Sequence, residues 1–269
     1  MTLPESAQEF LAGQAARVRQ LSKKKRIVFP EGRDPRIREA AARLAQEGLV
    51  EPILLGAAVE AGAGVVTLDP ATDGRAEKYA ALFFERRRAK GITHAEAAQA
   101  ARRPLHFGCL MVSAGEADGF VGGAANSTAD TVRAALQAIG TQPQVRTVST
   151  VMILCVRNRG FGHGGVLAIA DPAMVINPTA VELADIATAT AGSVKALLGI
   201  EPVVALLSFS TKGSGKHADS EKVVEALRIV RTRAPELHID GELQADAALV
   251  EAVGRSKAPG STVAGKANT

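Results

Sequence analysis

The sequence predicts an α/β fold with a mainly parallel sheet, and three observations lead to this class. Short apolar runs typical of strands alternate with longer segments of helical spacing, which is the pattern of a parallel sheet covered by helices. Hydrophobic residues make up 46% of the 269 residues, whereas aromatic residues make up 3% and tryptophan is absent. The core must therefore consist of Ala, Val, Leu and Ile, which suits helices packed closely on a buried sheet. The length predicts one large or two medium domains.

The first half of the chain carries strand and helix signals in alternation. Short runs rich in Val, Ile and Leu predict strands at 27–29, 51–55, 65–68 and 119–121. Helical spacing, with prolines at the starts and glycines at the ends, predicts helices at 5–21, 35–48, 74–90, 94–101 and 104–114, and one more that ends at 140. The polar segment 141–144 contains a proline and is predicted to cross between domains. We therefore expect a first α/β domain at 1–142 and a second at 143–269.

The second half continues the same alternation. Strands are predicted at 147–156, 166–170, 203–208 and 238–241, and helices at 179–198, 220–234 and 245–253. Residues 160–165 match G-x-G-x-x-G literally, but an apolar strand follows where a dinucleotide site needs a helix. A glycine-rich hairpin is the favoured interpretation of this segment.

Composition argues against several classes of protein. The net charge of +4 favours anionic partners in general, but aromatic residues are too few for the stacking that single-stranded nucleic acids need. The sequence has neither an apolar run of about 20 residues nor a secretory leader, so we expect a cytoplasmic protein that binds no membrane. Cys109 and Cys155 lie in apolar surroundings and are predicted to be buried thiols. The five histidines show no paired spacing, so no metal site is predicted.

The pattern of residues 118–133 predicts a strand end, a glycine turn and a helix start, which together form the geometry of an anion site. The first N–H groups of a helix lack acceptors within it, and the helix dipole adds partial positive charge. Gly122 and Gly123 allow close approach to the backbone, and Arg133 falls within the first turns of the helix. Four residues of helix-capping type lie between them: Asn126, Ser127, Thr128 and Asp130. The alternative is an ordinary capped helix after a tight turn.

A second candidate loop spans 209–219. It follows a predicted buried strand, precedes a helix and carries Lys212 and Lys216. Ser210 stands where a phosphate-binding NTPase loop needs glycine and His217 where it needs Ser or Thr, so the loop fails as an NTPase motif. An anion-contacting loop at the carboxyl end of the sheet and a solvated turn both remain possible. For the three nearby carboxylates at 240–246, helix capping is favoured over acid/base chemistry.

Four separate segments carry a more specific signal, and they occur at 118–133, 207–214, 240–248 and 257–268. Together, and in this order, they resemble the phosphate acetyltransferase family of acetyl/butyryl phosphotransferases. The resemblance implies a fold similar to the isocitrate and isopropylmalate dehydrogenases, with two three-layer α/β domains about a cleft, and a homodimer. It implies the reversible reaction acetyl-CoA + phosphate ⇌ acetyl phosphate + CoA, with CoA as a substrate and no bound cofactor.

The resemblance also implies site residues. Arg133, and Arg87 through the segment 85–91, correspond to family arginines and are expected beside the phosphoacyl group or the phosphates of CoA. The remaining residues expected to bind substrate are Asn126, Ser127, Thr128, Lys212 and Lys266. Asn126 stands where many relatives have His, Ala134 where they have Pro, and Thr262 where they have Pro.

The family continues beyond the segment that ends this sequence at Thr269. Its catalytic serine, arginine and proposed base lie in that continuation, so we expect no residue here to take those roles, an incomplete first domain, and low activity or none. A non-catalytic module that binds CoA or acyl phosphate is an alternative of a different class. A dehydrogenase of similar fold is a third interpretation, and the choice between acetyl and butyryl groups is open.

Overall fold

The computed structural model describes residues 2–56, 61–142 and 145–269, and they form an α/β fold. The chain divides into two compact units. We call Gln14–Thr141 the central unit, and Met1–Gly13 together with Gln142–Thr269 the terminal unit. Of the predicted crossing at 141–144, Pro143 and Gln144 lie outside the described residues. The domain limits 1–142 and 143–269 stay a prediction.

The central unit is built on a parallel sheet with the strand order β3-β2-β1-β4. The strands are β1 (Lys25–Phe29), β2 (Val50–Leu55), β3 (Val66–Leu68) and β4 (Gly119–Phe120). Val28 pairs with Ile53 on one side and with Phe120 on the other. The chain segments that leave β1 and β4 are therefore neighbours at the carboxyl edge of the sheet.

In the described ranges six α-helices begin at or before residue 128, and capping residues in the local sequence set several of their starts. They are α1 (Glu5–Arg19), α2 (Pro35–Gln46), α3 (Arg75–Arg87), α4 (His94–Ala101), α5 (Pro104–Ser113) and α6 (Thr128–Ala138), and a 3₁₀ turn (Arg88–Lys90) follows α3. The Asp34 side chain caps α2 ahead of a proline, and Thr93 and Glu96 form a capping box on α4. Ser127 caps α6 by accepting from the N–H of Asp130.

The core of the central unit lies between the sheet and α3 to α6. Its largest fully buried side chains include Tyr79, Phe83 and Phe107, and the rings of Tyr79 and Phe107 meet edge to face at 4.9 Å. Cys109 is buried here, and burial raises the pKa of its thiol to about 12. Five of the nine aromatic residues thus belong to this core or pack against it.

The terminal unit contains a hairpin and a parallel strand pair. The strands β5 (Met152–Cys155) and β6 (Val166–Ile169) are antiparallel, which confirms the glycine-rich hairpin predicted at 160–165. Gly162 has φ +59°, and a Cβ there would collide with the carbonyl of Val166. The strand predicted at 147–156 is shorter than expected, and Cys155 is half-buried rather than buried.

The parallel pair consists of β7 (Val204–Leu207) and β8 (Ile239–Leu243), packed on α7 (Ala180–Leu198) and α8 (Ala218–Arg233). The predicted helix at 245–253 is two helices, α9 (Ala245–Leu249) and α10 (Glu251–Lys257), because Val250 between them is extended. The backbone carbonyls of Asn268 and Thr269 connect the β5–β6 pair with the β7–β8 pair. The Ala168 N–H of β6 donates to Asn268, and the Ala205 N–H of β7 donates to Thr269, both at 2.9 Å.

None of the helices in the described ranges combines the length and apolar character needed to cross a membrane.

Candidate anion-binding site

A cleft of about 1060 Å³ opens at the carboxyl edge of the sheet in the central unit. Its wall includes the segments that follow β1 and β3, the end of α3, the junction of α4 with α5, and the start of α6. The chain turns from β1 toward β2 on one side, while β4 lies on the other. Ligands of open α/β sheets bind in crevices at such points, so this cleft is the natural candidate site.

Positive charge dominates the free side chains of the cleft. Its cations are Arg33, Arg87, Lys90, Arg102, Arg103 and Arg133. Within the described ranges, the side chains of Arg33, Arg87, Lys90 and Arg103 make neither an ion pair nor a hydrogen bond. The carboxylates of the wall, in contrast, all have partners: Glu31, Asp34, Asp69, Glu96 and Asp130. The side chains that are left free to bind a ligand are therefore cationic, as a site for anions requires.

Three consecutive arginines at the end of α3 have three different environments. Arg86 donates to the carbonyl of Ile139 and, at 2.9 Å, to the hydroxyl of Ser113, so it ties α3 to α5 and α6. Arg88 pairs with Glu85 at 3.3 Å on the exposed surface. Arg87 alone lines the cleft, half-buried and without a partner among the described residues. Only one of the three is therefore available to a ligand in the cleft.

Arg133 lies on α6 and is loosely held. Its Nη1 is 2.7 Å from Oδ1 of Asp130, but both side chains are more than half exposed, at 59% and 54%. Hydrogen bonds from Ser127 and Arg133 hold the pKa of Asp130 below its usual value. Exposed ion pairs of this kind contribute less than about 1 kcal/mol, so Arg133 can turn to a stronger anion at small cost.

The glycine turn before α6 holds a carboxylate of the protein itself. The N–H groups of Gly123 and Ala124 donate to Oε2 of Glu31 at 3.0 and 2.8 Å. Those of Ala125 and Asn126 donate to Oε1 at 2.7 and 2.8 Å, and the amide side chain of Asn126 adds a fifth bond at 2.8 Å. The four backbone donors of residues 123–126 are thus already taken, and the N–H of Asp130 is taken by the Ser127 cap.

Glu31 stays ionised in this position. Burial by itself raises the pKa of Glu31, but the hydrogen bonds from Ala125, Ala124 and Asn126 outweigh it, so the pKa lies below its usual value. The residue is only 7% exposed. Glu31 is absent from the site residues that the sequence predicts. Its signal is its place, directly after a strand that neighbours the strand leading into the glycine turn.

His106 is a further polar group in the wall of the cleft. Its Nε2 is 3.0 Å from the amide oxygen of Gln137, and its buried Nδ1 has no hydrogen-bond partner in the part of the chain that the structure describes. Burial lowers the pKa of His106. The ring is therefore neutral near pH 7, and it adds no charge to the cations around it.

In the second predicted loop, which lies in the terminal unit, Lys212 is paired within the protein. Nζ of Lys212 is 2.6 Å from Oδ1 of Asp240 and 2.7 Å from the carbonyl of Gly241. Arg231 also reaches this Asp240 oxygen, at 3.0 Å. Glu242, 3% exposed, accepts from the Ser210 hydroxyl at 2.9 Å and from the Gly213 N–H at 2.6 Å. Asp240 and Glu242 lie on β8 and do not cap the next helix, which corrects the interpretation favoured for them from sequence.

Three of the predicted substrate-binding residues, Arg87, Asn126 and Arg133, line the cleft together. Ser127 is the cap of α6 and Thr128 its first residue, directly after Asn126. Lys212 and the exposed Lys266 belong to the terminal unit. In the described ranges, no group of three or more His, Cys, Asp or Glu side chains is arranged to hold a metal ion.

Comparison with known proteins gives one consistent result. A family model described as "Phosphate acetyl/butaryl transferase" matches residues 11–269. The phosphate acetyltransferase of Thermoanaerobacterium thermosaccharolyticum is 46% identical over 255 residues, which are 92% of this chain and 78% of that protein. The phosphate acetyltransferase of Bacillus subtilis is 43% identical over 253 residues, which cover 90% of this chain and 76% of that protein.

Solved structures agree with these relatives. A phosphotransacetylase from Streptococcus pyogenes superposes with a TM-score of 0.89 and 42% identity, and the match covers 100% of this chain and 81% of that one. A branched-chain phosphotransacylase from Enterococcus faecalis has a TM-score of 0.63 at 17% identity, with 91% and 77% covered, and shows similarity of fold alone.

Proposed function

Because the chain belongs to the phosphate acetyl/butyryl transferase family, we propose that it is a phosphate acetyltransferase. The reaction moves an acetyl group reversibly from acetyl-CoA to phosphate, which gives acetyl phosphate and CoA. In the reverse direction the CoA thiolate attacks the acetyl carbonyl, a C–S bond forms, and the C–O bond to phosphate breaks. CoA is a substrate in this scheme, and no other cofactor is bound.

The observation that carries this proposal is the excess of unpaired cations in the cleft of the central unit. Acetyl phosphate and CoA both carry phosphate groups, and arginine is suited to them because its planar fork donates two hydrogen bonds at once. Among the described residues Arg87 has no side-chain partner, and Arg133 is weakly paired. We assign both to phosphate groups of the substrates, with Asn126 beside them. Roles for Ser127, Thr128, Lys212 and Lys266 stay predictions.

The test is the phosphate-dependent release of CoA thiol from acetyl-CoA, measured with the purified chain. Arg87→Gln is compared with Arg88→Gln, its neighbour that pairs with Glu85 outside the cleft wall. Loss of a charge-assisted hydrogen bond predicts a KM for acetyl-CoA or phosphate raised about tenfold or more in Arg87→Gln. Loss of an exposed ion pair predicts a change within about twofold in Arg88→Gln.

Several outcomes would contradict the proposal or redirect it. Equal effects of the two substitutions would show that the cleft does not bind the substrates. Tight binding of CoA without any thiol release would favour a non-catalytic binding module. A higher kcat/KM with butyryl-CoA than with acetyl-CoA would favour a phosphate butyryltransferase.

The finer features of the family are proposed on the same basis. We propose two three-layer α/β domains about a cleft, similar to isocitrate and isopropylmalate dehydrogenases, a homodimer, and a cytoplasmic location without nucleic-acid or membrane partners. The family membership and the α/β fold with mostly parallel strands support this. Light scattering of the purified protein tests the dimer, because a monomer mass at micromolar concentration would contradict it.

A further inference from the structure

The glycine turn before α6 is held from two sides, by the loop that follows β1 and by the start of α2. Glu31 accepts hydrogen bonds from the four consecutive N–H groups of residues 123–126. Arg36 donates to the carbonyl of Ala124 at 2.9 Å and is itself fixed by two bonds to Asp34, at 3.0 and 2.6 Å. The segment 31–36 thus contacts both the donors and an acceptor of the turn.

Four converging N–H groups favour an anion between them. Residues 123–126 are themselves exposed, so water could serve each N–H singly, but a single acceptor that serves all four at once needs two oxygens and a negative charge. A neutral amide in place of the carboxylate would supply one oxygen and would point N–H donors at N–H donors. The carboxylate of Glu31 satisfies all four, which is the role that a bound anion has in other backbone nests.

The turn determines where the ligand-facing groups of α6 lie. It runs directly into Asn126, whose side chain also bonds to Glu31, and into the cap Ser127. Arg133 follows less than two turns into the helix and lines the same cleft as Asn126. A change in the turn would therefore shift Asn126 and Arg133 together.

We propose that Glu31 is a positioning residue, a resident anion that fixes the glycine turn so that Asn126 and Arg133 face the cleft. Substrate phosphates are then bound by side-chain cations and not by the backbone of the turn. This inference rests on the proposed function, since its main readout is the KM of the transferase reaction.

The experiment uses Glu31→Ala, Glu31→Gln and the control Glu47→Gln, an exposed carboxylate that pairs with Arg43. Activity is measured from acetyl phosphate and CoA at low phosphate, with and without added formate. The KM for acetyl phosphate or CoA is expected to be about tenfold above wild type in both Glu31 variants, because charged hydrogen bonds are lost. It should be unchanged in Glu47→Gln. Formate restores Glu31→Ala at least partly, because it fits the vacated nest, but it does not restore Glu31→Gln, where the amide fills that space.

Distinct results overturn the inference and the proposed function. Inactive wild-type protein would overturn the function. Active wild type with an unchanged KM in Glu31→Ala, or equal effects of formate on both Glu31 variants after correction for wild type, would overturn the positioning role. If these two variants do not fold, Glu31→Asp replaces them, since it keeps the charge on a shorter side chain. Glu31→Asp is expected to raise the same KM with kcat largely retained. An unchanged KM would overturn the positioning role of Glu31.

Discussion

Two loops of this molecule each hold a buried glutamate, but the cations near them differ in how they are paired. In the central unit the turn at 122–126 holds the buried Glu31, and in the terminal unit the loop at 210–214 holds the buried Glu242. In both, a glutamate accepts hydrogen bonds from loop donors near the carboxyl end of a strand. The cations differ. Beside the first loop, Arg87 has no partner in the part of the chain that the structure describes and Arg133 is weakly paired, whereas Lys212 of the second loop is bound to Asp240.

The difference shows that glycines and basic residues in a loop do not identify a ligand site by themselves. What decides is how many internal partners the cations already have. Asp240, whose side chain is 7% exposed, binds both Lys212 and Arg231, so the charge of Lys212 is neutralised within the fold. The cleft of the central unit keeps its cations for a ligand. The following predictions test this contrast, from the largest expected effect to the smallest.

Replacing both arginines, as Arg87→Gln with Arg133→Gln, is expected to have the largest effect. Each lost charge-assisted contact corresponds to about a tenfold loss or more, so kcat/KM should fall by about a hundredfold or more if the two act independently. Steady-state kinetics measure this. A double variant no worse than either single variant would show that the two arginines do not contact the substrates separately.

Lys212→Gln is expected to affect stability and to leave substrate binding unchanged. Asp240 keeps Arg231 but loses a charged partner, so the free energy of unfolding should fall by about 1–3 kcal/mol. Denaturant unfolding measures this, with Lys216→Gln as a control on the same loop. Unchanged stability together with a raised KM would instead support the prediction that Lys212 binds substrate.

Acid should reduce the stabilisation that comes from carboxylates hydrogen-bonded to loop donors. Burial acts to raise the pKa of Asp171, but N–H groups of Met174, Ala173 and Thr150 and the Thr150 hydroxyl outweigh it and lower the pKa to about 2. The unfolded-state value is about 3.9, so the stabilisation is complete above that pH and is lost as pH falls toward 2. Its size is about 1–2 kcal/mol after allowance for partial exposure.

The measurement for Asp171 is the free energy of unfolding between pH 5 and about 2 for wild type and Asp171→Asn. The variant should lose stability at pH 5 and show a weaker decline toward acid. Parallel curves for the two proteins would mean that Asp171 contributes nothing through its charge.

Arg88→Gln should have the smallest effect. Its exposed ion pair with Glu85 predicts a change in the free energy of unfolding below about 0.5 kcal/mol. A thermal unfolding curve measures this, and a loss larger than about 1 kcal/mol would mean that the arginine has a contact beyond that pair.

The sequence predicts the elements well where local rules act alone. Proline and Asp34 begin α2, Thr93 and Glu96 begin α4, and Gly199 with positive φ ends α7. It fails where tertiary contacts decide. Val250 interrupts the helix predicted at 245–253, although no proline or glycine marks that position.

The site is predicted only in part, because it too depends on tertiary contacts. Local pattern places a turn and a capped helix at 118–133, and the resemblance singles out Arg87 and Arg133. Neither indicates that Glu31, 92 residues before Gly123, fills the turn, because that contact depends on β1 and β4 being neighbours. Likewise, the partner of Lys212 follows only from the pairing of β7 with β8.

Calorimetric titration with CoA tests the contrast between the two loops most directly, since it needs no turnover. Wild type, the Arg87→Gln and Arg133→Gln double variant, and Lys212→Gln are compared under one condition. We predict a Kd about a hundredfold weaker for the double variant and within about twofold of wild type for Lys212→Gln. Weak binding by Lys212→Gln together with wild-type affinity in the double variant would contradict the account.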